Sequence, residues 1–231
     1  MFINDIVDEV ESEIALFADD CVCYRPVVNI QDCEHLQKDI DHLTSWAKKW
    51  YMRFEPSKCK IMCITRKTIH KITYQYIMEH TSLESVQHTK YLGVMISDDL
   101  RWNHHVADIT GCANKLLKLL RRNLSICDRK VKEAASLGLV RPLLEYANQA
   151  WDPHTDNLSN EIKKIQRRTA PFVTSDYQKY ELGSVTTLLK DLSWKSLTNR
   201  REGDRLCLLK KGLDHNAILP LYELIYRFSH S

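Results

Sequence analysis

Short apolar runs broken by polar residues fill the first hundred positions, and helical stripes take over after them. Ile14-Ala15-Leu16-Phe17, the interruption Ala18-Asp19-Asp20 and the resumed run Cys21-Val22-Cys23-Tyr24 predict a strand, a tight turn and a second strand, closed by Pro26. From Asp32 to Trp50 the residues Leu36, Ile40, Leu43, Ala47 and Trp50 recur at i, i+4, i+7, i+11 and i+14, one face of a helix that Glu55-Pro56-Ser57 ends. Strands are predicted over Cys59 to Ile64, over Ile72 to Met78, and over Tyr91 to Ile96 with Ser97-Asp98-Asp99 closing the last. Beyond Trp102 the stripe Val106, Ile109, Ala113, Leu116 or Leu117, and Leu120 marks one helix. Val131 to Tyr146 marks a second, in which Pro142 forces a kink or a restart. Leu158, Ile162, Ile165, Thr169 and Phe172 mark a third, and segments 184–192, 194–214 and 217–228 follow as helices. The fold class expected is α+β: a small antiparallel sheet with one packed helix over 1–100, then an all-helical domain over 101–231.

Composition agrees with a folded chain. Of 231 residues 44% are hydrophobic and 27% charged, and six Gly and six Pro favour long helices over many turns. The net charge of +3 is unevenly placed: residues 1–100 carry 11 Lys/Arg against 16 Asp/Glu, net −5, while residues 101–231 carry 22 against 14, net +8. Such asymmetry points the second half toward a polyanion, nucleic acid first, with solvated helix faces as the alternative. None of the eight cysteines forms a CxxC pair, so small buried thiols in a reducing compartment are expected. Met1 to Glu13 is acidic without a basic residue, the reverse of a secretory leader, and no apolar run reaches the about 18 residues of a membrane span. An intracellular protein, nuclear or cytoplasmic and away from membranes, is the expectation.

Asp19-Asp20 is the strongest chemical candidate. On a regular strand neighbouring side chains point to opposite faces, so adjacent carboxylates can serve one ion only at a turn. Phosphoryl transfer uses such groups because two Mg²⁺ ions, held by carboxylates and substrate phosphates, stabilise the attacking and leaving oxygens. Asp98-Asp99 repeats the dipeptide without the hairpin. The basic groups Arg121-Arg122, Arg129-Lys130-Lys132, Lys163-Lys164, Arg167-Arg168 and Arg200-Arg201 are spread as phosphate contacts would be, without interleaved aromatics for base stacking. His104-His105 diverge on any regular element and read as surface residues.

Phe17-Ala18-Asp19-Asp20 between two apolar strands resembles the FADD signature, palm motif C, of non-LTR (LINE-type) retrotransposon reverse transcriptases. Phe2-Ile3-Asn4-Asp5 is similar to the segment after motif B. Trp46 to Trp50 with Pro56-Ser57-Lys58-Cys59-Lys60 resembles motif D, and Lys90-Tyr91-Leu92-Gly93-Val94 the primer grip. Arg141-Pro142-Leu143-Leu144-Glu145-Tyr146-Ala147, Trp151-Asp152-Pro153-His154 and Ile165-Gln166-Arg167-Arg168-Thr169-Ala170 resemble the thumb and connection. The resemblance implies a partial palm with the FADD hairpin, then a helical thumb, in an RNA-directed DNA polymerase acting on an RNA template and a DNA primer with Mg²⁺. It implies that Asp19 and Asp20 are the catalytic and metal-binding carboxylates. It also places Tyr91, Leu92 and Gly93 against the primer, Lys58 or Lys60 near the incoming triphosphate, and Arg121, Arg122, Lys163, Lys164, Arg167 and Arg168 among the nucleic-acid contacts.

In that family a third carboxylate, from motif A, and the fingers lie upstream of motif C. Asp5 and Asp8 sit in the connector and are not expected to replace the third acid, so the expectation is a chain inactive as a polymerase on its own unless a partner chain supplies the rest. Two further readings stay open: a retained nucleic-acid-binding module without catalysis, and a helical interaction protein with incidental basic faces. The first strand, without a motif A neighbour, would be an exposed edge, and marginal stability follows.

Overall fold

The computed structural model describes residues 3–7, 10–65, 72–177 and 184–213. The segment 217–228, read as a last helix, lies outside them. The chain divides into two compact units, Met1–Arg101 and Trp102–Ser231.

In the first unit β1 (Glu13–Phe17) and β2 (Asp20–Tyr24) form an antiparallel hairpin with Phe17 opposite Asp20, leaving Ala18 and Asp19 as its loop. Helix α1 (Ile30–Lys49) follows. Asn29 caps it: its side chain accepts from the Asp32 amide at 3.0 Å while Asp32 accepts from the Asn29 amide at 3.0 Å, satisfying amides the first turn would otherwise orphan. Lys48 and Lys49 fall in the last turn, where the helix dipole favours cations. Cys33 and Ile40 on its inner face pack with Tyr76, Met78 and Leu83, and Phe54, Cys59, Ile61 and Tyr74 close over them.

The remaining strands are shorter than the alternation predicts. The expected strands 59–64 and 72–78 reduce to β3 (Lys60–Ile61) and β4 (Ile77–Met78); β4 pairs antiparallel with β5 (Thr81–Ser82), and β3 pairs in parallel with β6 (Glu84–Ser85). Helix α1 takes a strand's place beside β4: the Gln37 side-chain amide donates to the Ile77 carbonyl at 2.8 Å and accepts from the Ile77 amide at 2.9 Å. The apolar residues are thus covered by a helix, and backbone pairing beyond two residues is not needed. Tyr91 to Ile96 is not one strand but a hairpin, β7 (His88–Tyr91) and β8 (Val94–Ser97), antiparallel. Its loop residues Leu92 and Gly93 take φ of 46° and 81°, and two consecutive left-handed residues reverse a chain in two positions. The first unit therefore holds four two-stranded ladders, one of them parallel, among the described residues, where a single antiparallel sheet was expected.

The second unit is helical. Helix α2 (Asn103–Asn123) buries Val106, Ala113, Leu117 and Leu120, and packs against α6 (Asp156–Thr174), which buries Ile162, Ile165, Ala170 and Phe172. Between them α3 (Arg129–Ala135) runs into a π-helical segment, Ser136–Val140, and then α4 (Arg141–Glu145). The Arg141 amide bonds the Ser136 carbonyl, five residues back, so the register slips by one just before Pro142, which has no N–H to give. The expected kink is absorbed as a π turn. A short helix, α5 (Asn148–Trp151), seats Trp151 wholly inside, its Nε1 donating to the Tyr146 carbonyl at 2.7 Å. Helices α7 (Ser184–Asp191) and α8 (Leu197–Leu213) complete the described chain. His105 is 1% exposed and packs edge-on to Trp151 at 4.7 Å, so the pair read as surface histidines splits: His104 is exposed and His105 belongs to the core. The eight thiols are free, but only Cys33 is buried, and Cys112 and Cys207 are exposed. Among the described residues no helix is long and apolar enough to cross a membrane.

Candidate functional site

The acidic pair sits at the reversal of the β1–β2 hairpin. Asp19 is the second loop residue and Asp20 the first residue of β2, and both side chains are exposed. Ala18, ahead of them, has φ 53°, a left-handed conformation that costs a residue with a Cβ about 1–2 kcal/mol. Leu92 pays the same penalty at the other tip.

What holds the acidic hairpin is its base. Asp39 on α1 is 2% exposed and accepts from the amides of Glu11 and Ser12, each at 3.0 Å, and from the Ser12 hydroxyl. Arg25, just past β2, approaches the same carboxylate at 3.9 Å and Glu11 at 3.7 Å. One buried carboxylate thus fastens the chain entering β1 to the helix, and the tip projects from that anchor. Asp39 was not singled out in the sequence; the signal was there, since it lies beside Ile40 and at i+3 from Leu36, on the flank of the apolar stripe.

Two other segments read from the sequence as functional lie near β2. Burial raises the Tyr91 hydroxyl, and the charge of Asp20 raises it further, so the β7 end of the second hairpin lies within reach of the Asp20 charge. Burial also raises the Cys21 thiol, with Cys59 as the next cause, so the Lys58-Cys59-Lys60 segment runs on the flank of β2. Lys60 is engaged in an ion pair with Glu84, whereas Lys58 is exposed and has no ion pair among the described residues. Asp5 accepts from the indole Nε1 of Trp46 at 2.9 Å. Asp8 lies outside the described residues.

Can these groups hold Mg²⁺? Among the described residues no group of three or more His, Cys, Asp or Glu side chains is gathered for a metal. Two exposed carboxylates meet part of the need, because Mg²⁺ is commonly bound by one or two carboxylates with water and substrate phosphates completing its six oxygens.

Over 192 residues, 81% of the chain, it is 27% identical to a probable RNA-directed DNA polymerase from transposon BS of Drosophila melanogaster, of which it covers 21%. It is 29% identical over 171 residues, 71% of the chain, to a probable RNA-directed DNA polymerase from transposon X-element of the same fly, of which it covers 18%. The chain is related to non-LTR transposon reverse transcriptases. It spans about a fifth of the length of these relatives. No protein-family model and no solved structure matches it.

In this reverse-transcriptase relative the basic residues of the helical unit divide into two sets. One set is internal. Arg201 is 1% exposed and donates from Nε to Asp152 at 2.6 Å; Arg200 pairs with Glu145; Lys132 is buried, bonding the Ser175 hydroxyl at 2.7 Å. Arg201 and Lys132, read as phosphate contacts, are therefore structural, because each has its acceptor inside, whereas Arg200 is half-buried and holds Glu145 from a partly open side. The second set lines the α2–α6 seam. Arg121 donates to the Arg168 carbonyl, and Arg168 Nη1 donates to Asn114 at 3.0 Å. Beside them Arg122 and Arg167 are exposed, Lys163 is half-buried, and Lys164 pairs with Glu161 three residues back. Of the six expected contacts, Arg122 and Arg167 project most freely; Arg121 and Arg168 lock the two helices.

Proposed function

We propose that the chain is a palm-and-thumb segment of an RNA-directed DNA polymerase, with Asp19 and Asp20 at its nucleotidyl-transfer centre and the α2–α6 seam on the template–primer backbone. The observation that carries this reading is the acidic pair at the tip of a two-stranded hairpin, in a chain related to such polymerases over most of its length. The tip holds the carboxylates clear of the hairpin's own hydrogen bonds, and Asp39 fixes the base from which they project. Bound Mg²⁺ would supply charge neutralisation at the transferring phosphoryl group. Asp19 and Asp20 would hold it, Tyr91 with Leu92 and Gly93 would lie against the primer end, and the exposed Lys58 would meet triphosphate oxygens.

With only two carboxylates at the tip, polymerisation calls for a further acid and for template-holding elements supplied elsewhere in a longer protein or by a partner chain. Primer extension on an RNA template with Mg²⁺ or Mn²⁺ tests this: the 231-residue chain incorporates nothing. Clear incorporation that vanishes in Asp19→Ala would overturn the requirement while supporting the assignment of Asp19.

A second reading, a nucleic-acid-binding module without catalysis, is favoured by the seam itself. Arg121, Arg122, Arg167 and Arg168 converge from two helices, an arrangement that needs no acidic tip to meet a phosphate backbone. Salt-dependent binding with no polymerisation in any reconstituted complex would decide for it.

A further inference from the structure

The helical unit contains a cavity of about 220 Å³ that neither the hairpin chemistry nor the basic seam uses. Its apolar wall is Val140, Leu144 and Leu197, each 2% exposed, and its open side carries Arg141, Lys195 and Arg200. Glu145 lies 3.0 Å from Arg200 Nη2 and 3.6 Å from Arg141 Nε, and the charge of Asp204 also reaches Arg200, while Lys195 has no ion pair among the described residues.

One wall residue is out of balance. Several hydroxyls inside the helices bond the carbonyl four residues back, as Thr110 does at 2.6 Å and Thr169, which also lines the cavity, at 2.8 Å. Gln166, another wall residue, is satisfied by the Lys195 carbonyl and the Leu197 amide. Ser136 is 2% exposed and its Oγ has no partner among the described residues. It opens the π segment, and such segments often lie at functional sites. A buried hydroxyl lining a cavity can bond a polar atom of whatever enters it.

We propose that this cavity binds a small molecule with an apolar, ring-sized body and one carboxylate: the body against Val140, Leu144 and Leu197, the carboxylate toward Lys195 and the two guanidiniums, and Ser136 Oγ bonded to a polar atom of the ligand. Size fits the class. A cavity of about 150 Å³ accepts benzene, so 220 Å³ takes a ring and a short acidic tail. The site is independent of polymerase chemistry, and nucleic acid, too large for the volume, is not its occupant.

The test uses the full chain, ¹⁵N-labelled at tryptophan, with 3-phenylpropionate as probe and 3-phenylpropanol as its neutral counterpart. The indole N–H of Trp194, which lines the cavity and bonds Glu133 at 2.9 Å, is the reporter. Expected are a saturable shift of that signal, at least about tenfold tighter binding of the acid than of the alcohol, and about fivefold weaker binding of the acid in Lys195→Gln with the alcohol unaffected. Ser136→Val, which fills the hydroxyl's place with methyl groups, weakens both probes. Because Lys195 is exposed, its variant folds whatever becomes of Ser136→Val. No saturable shift at Trp194, or acid and alcohol bound alike and indifferent to Lys195→Gln, overturns the proposal.

Discussion

Removing the Asp39 carboxylate should loosen the acidic hairpin before anything else in the first unit. In Asp39→Ala three donors lose their acceptor: the amides of Glu11 and Ser12 and the Ser12 hydroxyl. Glu11 is exposed and its amide can turn to water, but Ser12 is 9% exposed and cannot do so without the strand lifting away. Two buried hydrogen bonds to a charged acceptor, at about 1.5–3 kcal/mol each, put the loss at about 3–6 kcal/mol. At about 1.4 kcal/mol per factor of ten, the Ser12 amide should exchange with solvent at least about 100-fold faster, and amides of β1 and β2 should follow it. Asp39→Asn, which keeps one accepting oxygen, should fall between the variant and the wild type. Asp19→Asn, at the exposed tip, should change exchange at Ser12 by less than about threefold, as surface substitutions generally do. Hydrogen exchange followed residue by residue by NMR measures all three. A Ser12 amide as slow in Asp39→Ala as in the wild type would refute the anchor, and with it the reason given for a fixed tip.

Breaking the Asp152–Arg201 pair in Asp152→Ala leaves a guanidinium buried without its anion and should cost about 3–5 kcal/mol, seen in thermal melting of the helical unit; Arg205→Gln, at the exposed end of the same network, should cost no more than about 1 kcal/mol. The half-buried setting of Cys23, reinforced by Asp39, pushes its thiol from 9.0 up to about 11, so at pH 8 iodoacetamide should modify it about 100-fold more slowly than a thiol of ordinary value, while exposed Cys207 reacts readily; equal rates by mass spectrometry would contradict that setting. The same shift means that the folded state holds the Cys23 proton more firmly than the unfolded chain, so this group's contribution to stability is present below pH 9 and declines as pH rises toward 11, which melts across that range would register.

The hairpin over 13–24 and the helices over 30–49, 103–123 and 156–174 were legible because each is written in a single period, with Pro26 closing the hairpin; the Asn29–Asp32 cap, by contrast, was not legible, and the sequence expectation starts the first helix at Asp32. The region 59–97 was not. There the residues that alternate like strands are covered by α1 and by one another, so Gln37 takes a strand's place at Ile77 and extended pairing stops after two residues. Leu92-Gly93 hid a turn because leucine rarely adopts positive φ, and nothing local announces that it does so here. Of the site, the acidic tip was readable from Asp19-Asp20 between apolar runs, whereas the fate of each arginine was not. Whether a guanidinium meets solvent or an internal carboxylate depends on contacts as distant as Arg201 with Asp152, which no spacing reveals.

The proposed grip of the α2–α6 seam on a nucleic-acid backbone has a signature in salt. Binding of an RNA–DNA hybrid, followed by fluorescence anisotropy against salt, tests it most directly. With three or four phosphates neutralised, affinity should fall about 100-fold between 50 and 200 mM salt, and Arg122→Gln and Arg167→Gln should each flatten the log–log slope by about 0.9. Binding that is insensitive to salt, or a slope that both variants leave unchanged, would contradict it.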